Sequence, residues 1–579
     1  MVRSHNLLVF TIFLLSLYPW QSDAQTKWYD PEKSAVNPMQ GQAFEGQERE
    51  SFYHRFPKKT EEAVRGDVWG LSKSTAGESI VFTTDSENIT VRYTVTQGFA
   101  MPHMPATGVS GVDLYTHDRN GADVWLTGRY DFSDTVTFCF GPIDILDKPN
   151  KAQRYTLFLP LYNEVSWMEI GVDESADFRF EPSPVTKPIV AYGTSIAQGA
   201  CASRPGMAWS NILQRRLGHE VINLGFSGNA MMENEVIDLI SEIDAKVYLL
   251  DAMPNVCSFK DTLAIRDTVI NAVKRLRSKR PQTPILLVDH IGYPQSKAIS
   301  TTRAKERRTN RMQKEAYEQL ISDGVKNLHY LSYDELAMPL DGTVEGSHAS
   351  DYGMVAYADA YEKKIREILD EPVGDCSTTV PVMQQRDPYI WLDRHAHIIQ
   401  EGHGKHFRRV LIGDSIMHFW GGADDAPVVN GASVWEAFEG ATLNMGCGYD
   451  RIENVLWRIY HGQLDGLTAD RIILAIGTNN LGGDSDEDII EGLRYIINAI
   501  KGRRPEAEIT LMGILPRRDG EDRVRNINKM YKALAKETGI GYSDPGRELL
   551  RKGRIDETLF MDGLHPNEAG YELIAPYFN

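Results

Sequence analysis

The chain has 579 residues, with 62 lysines and arginines against 80 aspartates and glutamates, so its formal net charge at pH 7 is −18. A chain this acidic is a poor general binder of nucleic acid or of anionic membranes, because both require clustered positive charge. Its apolar content of 42% and charged content of 25% exclude a mainly disordered, collagenous or coiled-coil chain. At about 150 residues per domain, the length predicts three to four domains.

The five cysteines are too few and too scattered for a disulfide scaffold, and the chain has no CxxC pair. One bridge remains possible. The odd number means that at least one thiol is free or pairs with another chain.

Residues 1–24 have the pattern of a secretory signal peptide. An apolar run from Leu7 to Trp20 follows Arg3, and Ser22 and Ala24 supply the small residues of a cleavage site. The alternative is a membrane anchor, but the run is shorter than the about 20 residues that a spanning helix needs. We therefore predict cleavage after Ala24 and an exported protein, periplasmic or secreted, without a membrane span.

Residues 25–185 predict an all-β sandwich domain of jelly-roll type. Short runs at 79–84, 89–95, 135–140 and 154–159 alternate apolar and polar residues, are rich in β-branched and aromatic side chains, and are separated by turn residues. This two-residue period is typical of half-buried strands. No pair of nucleophile and base stands out in this region.

Residues 186–371 have a different pattern, in which apolar strands alternate with helical segments. Strands are predicted at 188–192, 221–224, 247–250 and 285–288, and a helix at 209–217. Such alternation predicts an α/β domain with a parallel sheet covered by helices on both faces. Residues 372–388 are rich in Pro, Gly, Ser and Thr and predict a linker. The α/β pattern then restarts over 389–579, with strands at 410–412 and 472–476.

The restart is an internal repeat, because four polar residues recur at a nearly constant offset. The pairs are Ser195 and Ser415, Asn223 and Asn444, Asn255 and Asn479, and His348 and His565, with offsets of 220, 221, 224 and 217. The repeat predicts two copies of one domain.

Each copy carries the residues of an activated nucleophile. Ser195 and Ser415 both follow a buried strand, which places them at the carboxyl edge of the sheet, where open α/β folds bind ligands. In the first copy the carboxylate of Glu345 precedes His348 by three residues, and Asp562 precedes His565 in the same way in the second. One loop can therefore carry both groups, in a Ser-His-carboxylate arrangement.

An oxyanion hole is predicted from the remaining motifs. Asn255 and Asn479 each follow an apolar strand, so their amides reach the same edge. The glycine-rich turns at 225–228 and 446–449 can direct backbone N–H groups into the site.

Other active-site motifs are absent from the sequence. Neither serine lies in G-x-S-x-G, since Ala197 and Met417 hold the last position, and neither H-E-x-x-H nor the phosphate-binding G-x-x-x-x-G-K-[ST] occurs. Four histidines near the start of the third domain form either a metal site or part of a solvated helix, and the helix is favoured. They are His395, His397, His403 and His406.

In combination these blocks resemble the SGNH (GDSL-type) hydrolase superfamily. The C-terminal copy matches it through Gly413-Asp-Ser415-Ile, Asn444-Met-Gly-Cys-Gly-Tyr-Asp450, Gly477-Thr-Asn479-Asn480 and Asp562-Gly-Leu-His565-Pro. With Asn454-Val-Leu-Trp-Arg it also resembles the catalytic subunits of platelet-activating factor acetylhydrolase. One departure is that the glycine of the second block falls on Tyr449.

The middle copy resembles another branch of the superfamily, through Tyr192-Gly-Thr-Ser195-Ile-Ala-Gln-Gly and Cys201-Ala-Ser-Arg-Pro-Gly. Its second-block glycine is Gly228 and its third-block asparagine is Asn255. It departs from the commoner pattern with Thr194 and Glu345 in place of aspartates. That branch carries an N-terminal β domain with a Gly-x-Asp-Leu-Tyr signature, which Gly111-Val-Asp-Leu-Tyr115 supplies here.

The resemblance implies a flavodoxin-like three-layer α/β/α fold for both copies and ester hydrolysis through an acyl-enzyme, without metal or other cofactor. The implied roles are nucleophile for the serines, base for the histidines and orienting carboxylate for their partners, with an oxyanion hole in each copy. The implied residues are Ser195, His348, Glu345, Gly228 and Asn255 in the first copy, and Ser415, His565, Asp562, Tyr449 and Asn479 in the second.

Exported members with β domains often deacetylate plant polysaccharides, so an acetylated polysaccharide or oligosaccharide is the expected substrate. Two alternatives stay open. One is a lipid or phospholipid acylhydrolase, and the other is a carbohydrate-binding protein in which only one copy is active.

Overall fold

A computed structural model of the chain describes residues 26–44, 46–144, 152–183, 186–259, 261–386, 389–438 and 440–579. The signal peptide predicted over 1–24 lies outside the described residues. Within the described ranges, no helix combines the length and apolarity needed to cross a membrane. All five cysteines are free, so the one bridge that the sequence left possible is not formed.

The N-terminal region is built from two antiparallel sheets. Its strands are β1 (Thr26–Tyr29), β2 (Met39–Gln40), β3 (Ser79–Thr84), β4 (Ile89–Val95), β5 (Asp113–His117), β6 (Asp123–Leu126), β7 (Arg129–Asp131), β8 (Val136–Phe140), β9 (Gln153–Phe158), β10 (Val165–Asp173) and β11 (Phe178–Phe180). One sheet has the order β1-β10-β4-β8-β7, and the other has β11-β3-β9-β5-β6 with β2 paired to β3. Two short helices, α1 (Gly66–Ser72) and α2 (Ala106–Val109), lie between strands.

The core of this region lies between the two sheets, as in a β-sandwich. Alternate residues of β4, such as Val91 and Tyr93, are buried in one cluster with Phe82 of β3 and Leu157 of β9 in the opposite sheet. The alternation in the sequence therefore marks one inward face for each sheet, and the predicted all-β sandwich is confirmed.

The middle region is a parallel α/β unit. Its elements are β12 (Ile189–Gly193), α3 (Ser195–Gln198), α4 (Trp209–Leu217), β13 (Val221–Gly225), α5 (Asn234–Ile240), β14 (Val247–Asp251), α6 (Met253–Val256), α7 (Thr262–Lys279), β15 (Ile285–Val288), α8 (Ser300–Ser322), β16 (Leu328–Leu331), α9 (Tyr333–Leu336) and α10 (Asp351–Leu369). The strand order is β13-β12-β14-β15-β16, the flavodoxin-like 2-1-3-4-5 arrangement.

The C-terminal region repeats that topology. Its elements are α11 (Trp391–Gly402), β17 (His406–Gly413), α12 (Ser415–His418), α13 (Ala432–Glu436), β18 (Thr442–Gly446), α14 (Ile452–Tyr460), β19 (Thr468–Ala475), α15 (Asp486–Arg503), β20 (Glu508–Met512), α16 (Glu521–Thr538), β21 (Gly541–Ser543), β22 (Leu550–Arg551), β23 (Arg554–Ile555) and α17 (Glu568–Ile574). The order β18-β17-β19-β20-β21 matches that of the middle unit, and β22 and β23 form a small hairpin.

Both units are three-layered, because each sheet buries its two faces in separate clusters. In β12, Val190 and Tyr192 belong to one cluster and Ile189 and Ala191 to another. In β17, Val410 and Ile412 likewise lie on the opposite side from Leu411. Continuous apolar strands are therefore explained by helices on both faces, and the predicted α/β/α class is confirmed.

The stretch over 372–388, predicted as a linker, has few regular elements but is packed in its described part, 372–386. Thr378, Thr379 and Gln384 are buried. The side chain of Gln153 in the β-sandwich donates a hydrogen bond to Gln385 at 2.7 Å. A composition rich in Pro, Gly, Ser and Thr indicates the absence of helix and strand, but it does not indicate exposure to solvent.

Candidate active sites

The strand register brings the candidate residues of each α/β unit to one edge of its sheet. Gly193 of β12 pairs with Gly225 of β13 and with Asp251 of β14, so the turns that follow these residues are neighbours. Ser195, Gly228 and Asn255 lie two, three and four residues beyond them. This edge is also where the order of the strands reverses, the usual ligand site of such sheets.

The second unit has the same register. Gly413 of β17 pairs with Gly446 of β18 and Ala475 of β19. Ser415, Tyr449 and Asn479 follow those three positions at the same distances of two, three and four residues. The two edges are thus equivalent position by position.

The first unit brings its serine, histidine and carboxylate together. Ser195 Oγ lies 2.8 Å from His348 Nε2, and His348 Nδ1 lies 2.8 Å from Glu345 Oε1. The backbone N–H of His348 donates to the same carboxylate oxygen at 2.8 Å, so the longer glutamate still orients the ring. Ser195 is 8% exposed.

The second unit forms the same relay with an aspartate. His565 Nε2 lies 2.8 Å from Ser415 Oγ, and its Nδ1 lies 2.7 Å from Asp562 Oδ2. Partial burial opposes ionisation of Asp562, but the backbone N–H groups of His565 and Leu564 and the imidazole donate to it and hold its pKa below the usual value. The carboxylate therefore stays ionised and favours the imidazolium that proton transfer from the serine would create.

The residue before each serine caps the short helix that begins there. Thr194 Oγ1 accepts from the N–H of Ile196 at 3.3 Å, and Asp414 Oδ1 accepts from Ile416 at 3.0 Å. Burial raises the pKa of Asp414 to about 7. Thr194 and Asp414 therefore make the same capping hydrogen bond, although only Asp414 can ionise.

The asparagines are held beside the glycine-rich turns. Asn255 Oδ1 accepts from the N–H of Ala230 at 3.0 Å, which leaves the amide N–H groups of Asn255 for the site. Asn479 Nδ2 donates to the carbonyl of Asp450 at 2.9 Å, so one of its two amide hydrogens remains.

Tyr449 takes up the backbone conformation of the glycine that it replaces. Its φ is +60°, against +70° for Gly228. Both residues therefore direct their N–H groups from a left-handed turn, which costs a tyrosine more than a glycine. The Tyr449 side chain is 48% exposed, so the ring points out of the fold.

Each turn also accepts support from the last residue of the short helix that begins at the serine, a contact that the sequence analysis missed. Gln198 Oε1 accepts from the N–H of Ser227 at 3.0 Å, and His418 Nδ1 accepts from Gly448 at 3.2 Å. Both side chains are buried and lie three residues after the serine. The offset of 220 could have revealed the pair, but the residue types differ.

Two buried arginines, also missed, support the second strand of each unit. Arg55 donates through Nη1 to the carbonyls of Asn223 and Gly225, both at 3.0 Å. Arg394 donates to Asn444 at 2.6 Å and to Gly446 at 3.2 Å. Burial lowers the pKa of Arg55 to about 10. Arg55 comes from the β-sandwich region and Arg394 from α11, so no constant offset relates them.

The four histidines near α11 do not form one ligand cluster within the described residues. His395 is buried, with its ring 5.0 Å from that of Trp457, because this face of α11 packs on α14. His397 lies 3.3 Å from Asp425, and His406 faces Thr468 and Asp470. The solvated helix expected here is therefore buried on one face.

Family models match three successive parts of the chain. The GDSL-like lipase/acylhydrolase family matches residues 186–366 and, through a second model of the same description, residues 411–573. A model described as the N-terminus of SGNH-hydrolase-type esterases, with the signature GxDLY, matches residues 26–178.

The chain belongs to the SGNH (GDSL-like) hydrolase family. Its solved relatives include a predicted GDSL-like lipase from Bacteroides ovatus, with 31% identity and a TM-score of 0.54 over 60% of this chain and 98% of that one.

Curated SGNH relatives are shorter proteins. The platelet-activating factor acetylhydrolase IB subunit alpha1 of Homo sapiens is 26% identical over 204 residues, 34% of this chain and 84% of the relative. The alpha2 subunit of Rattus norvegicus is 28% identical over 193 residues, 32% of this chain and 80% of the relative. Ester-bond hydrolysis by an SGNH acylhydrolase is therefore the activity class of this chain.

Proposed function

We propose that the protein is an exported serine esterase that removes O-acetyl groups from carbohydrate at two separate active sites. The observation that carries the proposal is the pair of hydrogen-bonded relays, Ser195-His348-Glu345 and Ser415-His565-Asp562. Two complete relays on equivalent sheet edges favour two working sites over one working and one degenerate unit.

The chemistry at each site follows from the contacts. The histidine Nε2 takes the proton of the serine hydroxyl as Oγ attacks the ester carbonyl, and the carboxylate on Nδ1 stabilises the imidazolium. The backbone N–H groups of Gly228 or Tyr449 and the amide of Asn255 or Asn479 stabilise the oxyanion. The histidine then protonates the leaving alcohol, and water activated by the same base releases acetate from the serine.

A short acyl group is favoured by the likeness to the acetylhydrolase subunits. An open site is favoured by exposure of the orienting carboxylates, since the side chains of Glu345 and Asp562 are 37% and 54% exposed. The carbohydrate substrate and the export rest on the family's exported members with an N-terminal β domain, an argument from likeness.

Acetate release from acetylated xylan and pectin tests the proposal. We expect Ser195→Ala and Ser415→Ala each to retain the activity of the other site, and the double variant to lose on the order of 10³-fold or more. Ser322→Ala, at the exposed end of α8, is the matched control. Acetate release by the double variant near the wild-type rate would refute the assigned nucleophiles.

A lipid or phospholipid acylhydrolase that releases long acyl chains is the second candidate, and the match to models described as GDSL-like lipase/acylhydrolase favours it. Chain length separates the two. We expect kcat/KM on p-nitrophenyl esters to fall from acetyl to octanoyl in both single-serine variants, because an open site gives no apolar burial to the longer chain. A rise with chain length would favour the lipid substrate.

A further inference from the structure

A thiol and a second imidazole lie beside the catalytic histidine of the first site. Ligand atoms of His103, Cys201 and His348 all lie within 4.8 Å of one another. Cys201 Sγ donates to the carbonyl of His103 at 3.3 Å, and the rings of His103 and His348 are stacked with centroids 5.6 Å apart. His103 belongs to the β-sandwich region and is exposed, whereas Cys201 is buried in the turn after α3.

The three groups are the donor set of a soft divalent metal. Two imidazoles and a thiolate suit Zn²⁺ better than they suit Mg²⁺ or Ca²⁺, which prefer oxygen ligands. Tetrahedral bonds of about 2.0–2.3 Å separate ligand atoms by about 3.5 Å. Because His103 is exposed, a change of its side-chain torsions can bring its ring to that separation.

The surroundings determine which nitrogen of His348 is available. Nδ1 is held by Glu345 at 2.8 Å, which leaves Nε2, the atom that contacts Ser195 Oγ. A carboxylate on the far nitrogen of a metal-bound histidine is the usual outer partner in zinc sites. The relay that would orient His348 for catalysis therefore also orients it for a metal.

Cys201 has no role in the proposed hydrolysis. Burial raises the pKa of its thiol to about 11, so at neutral pH it is protonated and a poor nucleophile. It also has a φ of +69°, an unfavourable conformation for a residue with a Cβ. In the second unit the residue 220 positions later is Gly421, and the ring beside His565 is that of Phe419, at 5.2 Å. Among its described residues, the second unit therefore has no matching donor set.

We propose that Zn²⁺ binds to His103, Cys201 and Nε2 of His348 and reversibly inhibits the first active site alone. On binding, the Cys201 thiol loses its proton to solvent and sulfur bonds to the metal, while Nε2 gives up its hydrogen bond with Ser195. One proton is released for each ion, so binding strengthens as pH rises. The inhibition rests on the proposed function, whereas the binding does not.

Single-serine variants test the inhibition. In Ser415→Ala, where only the first site is live, we expect Zn²⁺ to inhibit p-nitrophenyl acetate hydrolysis. In Ser195→Ala, the same zinc concentration should leave the second site's rate unchanged. Adding His103→Ala or Cys201→Ser to Ser415→Ala should raise the half-inhibiting zinc concentration at least about tenfold. Cys376→Ser, at the partly buried cysteine of the 372–386 stretch, is the matched control and should not change it.

Cobalt binding tests the site without any hydrolysis. Co²⁺ added to the full chain should give a sulfur-to-cobalt charge-transfer band in the near ultraviolet, absent in Cys201→Ser and weakened in His103→Ala. Calorimetry should show one fewer zinc equivalent in both variants. His103 is exposed, so its variant should fold even if Cys201→Ser does not.

The outcomes separate the two proposals. If no ester is hydrolysed but the cobalt band depends on Cys201, the proposed function fails and the metal site stands. If hydrolysis is normal but neither the band nor the zinc equivalent depends on Cys201 and His103, the metal site is refuted. If zinc binds there without inhibiting, His348 is not a ligand and the proposal is overturned in that form.

Discussion

At the scale of single residues, the two candidate sites differ most clearly at the turn proposed to stabilise the oxyanion. Gly228 and Tyr449 share a left-handed backbone but not a side chain, with φ of +70° and +60°. Apart from Gly228 and its two chain neighbours, no described residue has an atom within 4 Å of a Cβ built on Gly228, so that position is open. The turn supplies a backbone N–H group, so the side chain can differ between the two units. What differs in free energy is the strain of the left-handed backbone.

Substitutions at Gly228 and Tyr449 should therefore change the free energy of unfolding more than the rate of ester hydrolysis. We expect Gly228→Ala to destabilise the first α/β unit by about 1–2 kcal/mol through its backbone alone. We expect Tyr449→Gly to change the second by less than about 1 kcal/mol, since relief of strain is offset by the flexibility that glycine adds to the unfolded chain. Denaturant unfolding followed for each variant, with acetyl-ester rates in single-serine backgrounds, measures both effects. A large loss of rate in either would contradict a purely backbone role for these residues.

The motif residues were predictable from sequence, and their supports were not. Ser195, His348 and Glu345 recur with Ser415, His565 and Asp562 at near-constant offsets, because a reaction needs fixed residue types at fixed positions of the fold. Arg55 needs only to supply donors to two strand-end carbonyls, and Arg394 supplies them from a different element. Because an arginine from several positions in the chain can reach these carbonyls, the two arginines do not recur at a constant offset in the sequence.

At the scale of elements, the Gly-x-Asp-Leu-Tyr signature attaches the β-sandwich to the first α/β unit. Asp113 and Tyr115 of β5 face Arg204 of the first α/β unit, at 2.9 Å from Asp113 Oδ2 and 2.6 Å from the Tyr115 hydroxyl. Asp113 also accepts from the N–H of Gly206 at 2.7 Å. A Cβ on Gly111 would lie 2.4 Å from the carbonyl of Thr107, so a larger residue does not fit there.

The signature thus holds the loop that carries Cys201, Ser203 and Arg204. Ser203 in turn donates to Asp351 at the start of α10, the helix that follows the His348 loop. The β-sandwich is consequently part of the support of the first site. The sequence identified the signature by likeness, but its partner lies 91 residues away and could only be seen in the fold.

Breaking this contact should affect the first site only. We expect Asp113→Ala to destabilise the protein by about 3–5 kcal/mol, because it leaves Arg204 without its charge partner in a largely buried contact. Hydrolysis should fall in the Ser415→Ala background and persist in Ser195→Ala. Thermal unfolding and acetyl-ester rates measure both effects, and Asp134→Ala, on an exposed turn of the same domain, is the control. Equal losses at the two sites would show that the contact supports the whole chain instead.

At the scale of the whole molecule, the two α/β units meet through a buried polar cluster. His219 lies 2.9 Å from Glu371, and its ring contacts that of His461 of the second unit with centroids 4.4 Å apart and planes tilted by 36°. Both ring nitrogens of His461 face carbonyls, Nδ1 that of Trp457 at 2.6 Å and Nε2 that of Leu217 at 2.9 Å, and a neutral ring can donate to only one of them. Lys246 and Arg503 lie 3.8 and 3.7 Å from Glu371. Two further charged groups act on the cluster, Arg366 on His219 and Asp465 on Lys246.

The pKa shifts in this cluster all make the contact between the two units less stable at low pH. Burial lowers the pKa of His219, and it lowers that of His461 well below the ordinary histidine value. Burial alone would raise the pKa of Glu371, but His219, Lys246 and Arg503 hold it below the usual value. The separated units therefore take up protons that the packed units exclude, first at the histidines below about pH 6.5 and then at Glu371 below about pH 4.5.

Contact between the two units should accordingly weaken as the pH falls. By scanning calorimetry we expect the two α/β units to unfold in one transition at pH 7.5 and in two at about pH 5.5, because the histidine contribution is lost through about pH 6.5. Glu371→Gln should separate the transitions already at pH 7.5, since it leaves Lys246 and Arg503 without their buried counter-charge. Glu367→Gln, on α10 with its exposed side chain paired to Lys364 outside this cluster, is the control. A single transition that persists in Glu371→Gln at both pH values would show that apolar contacts, and not this cluster, join the two units.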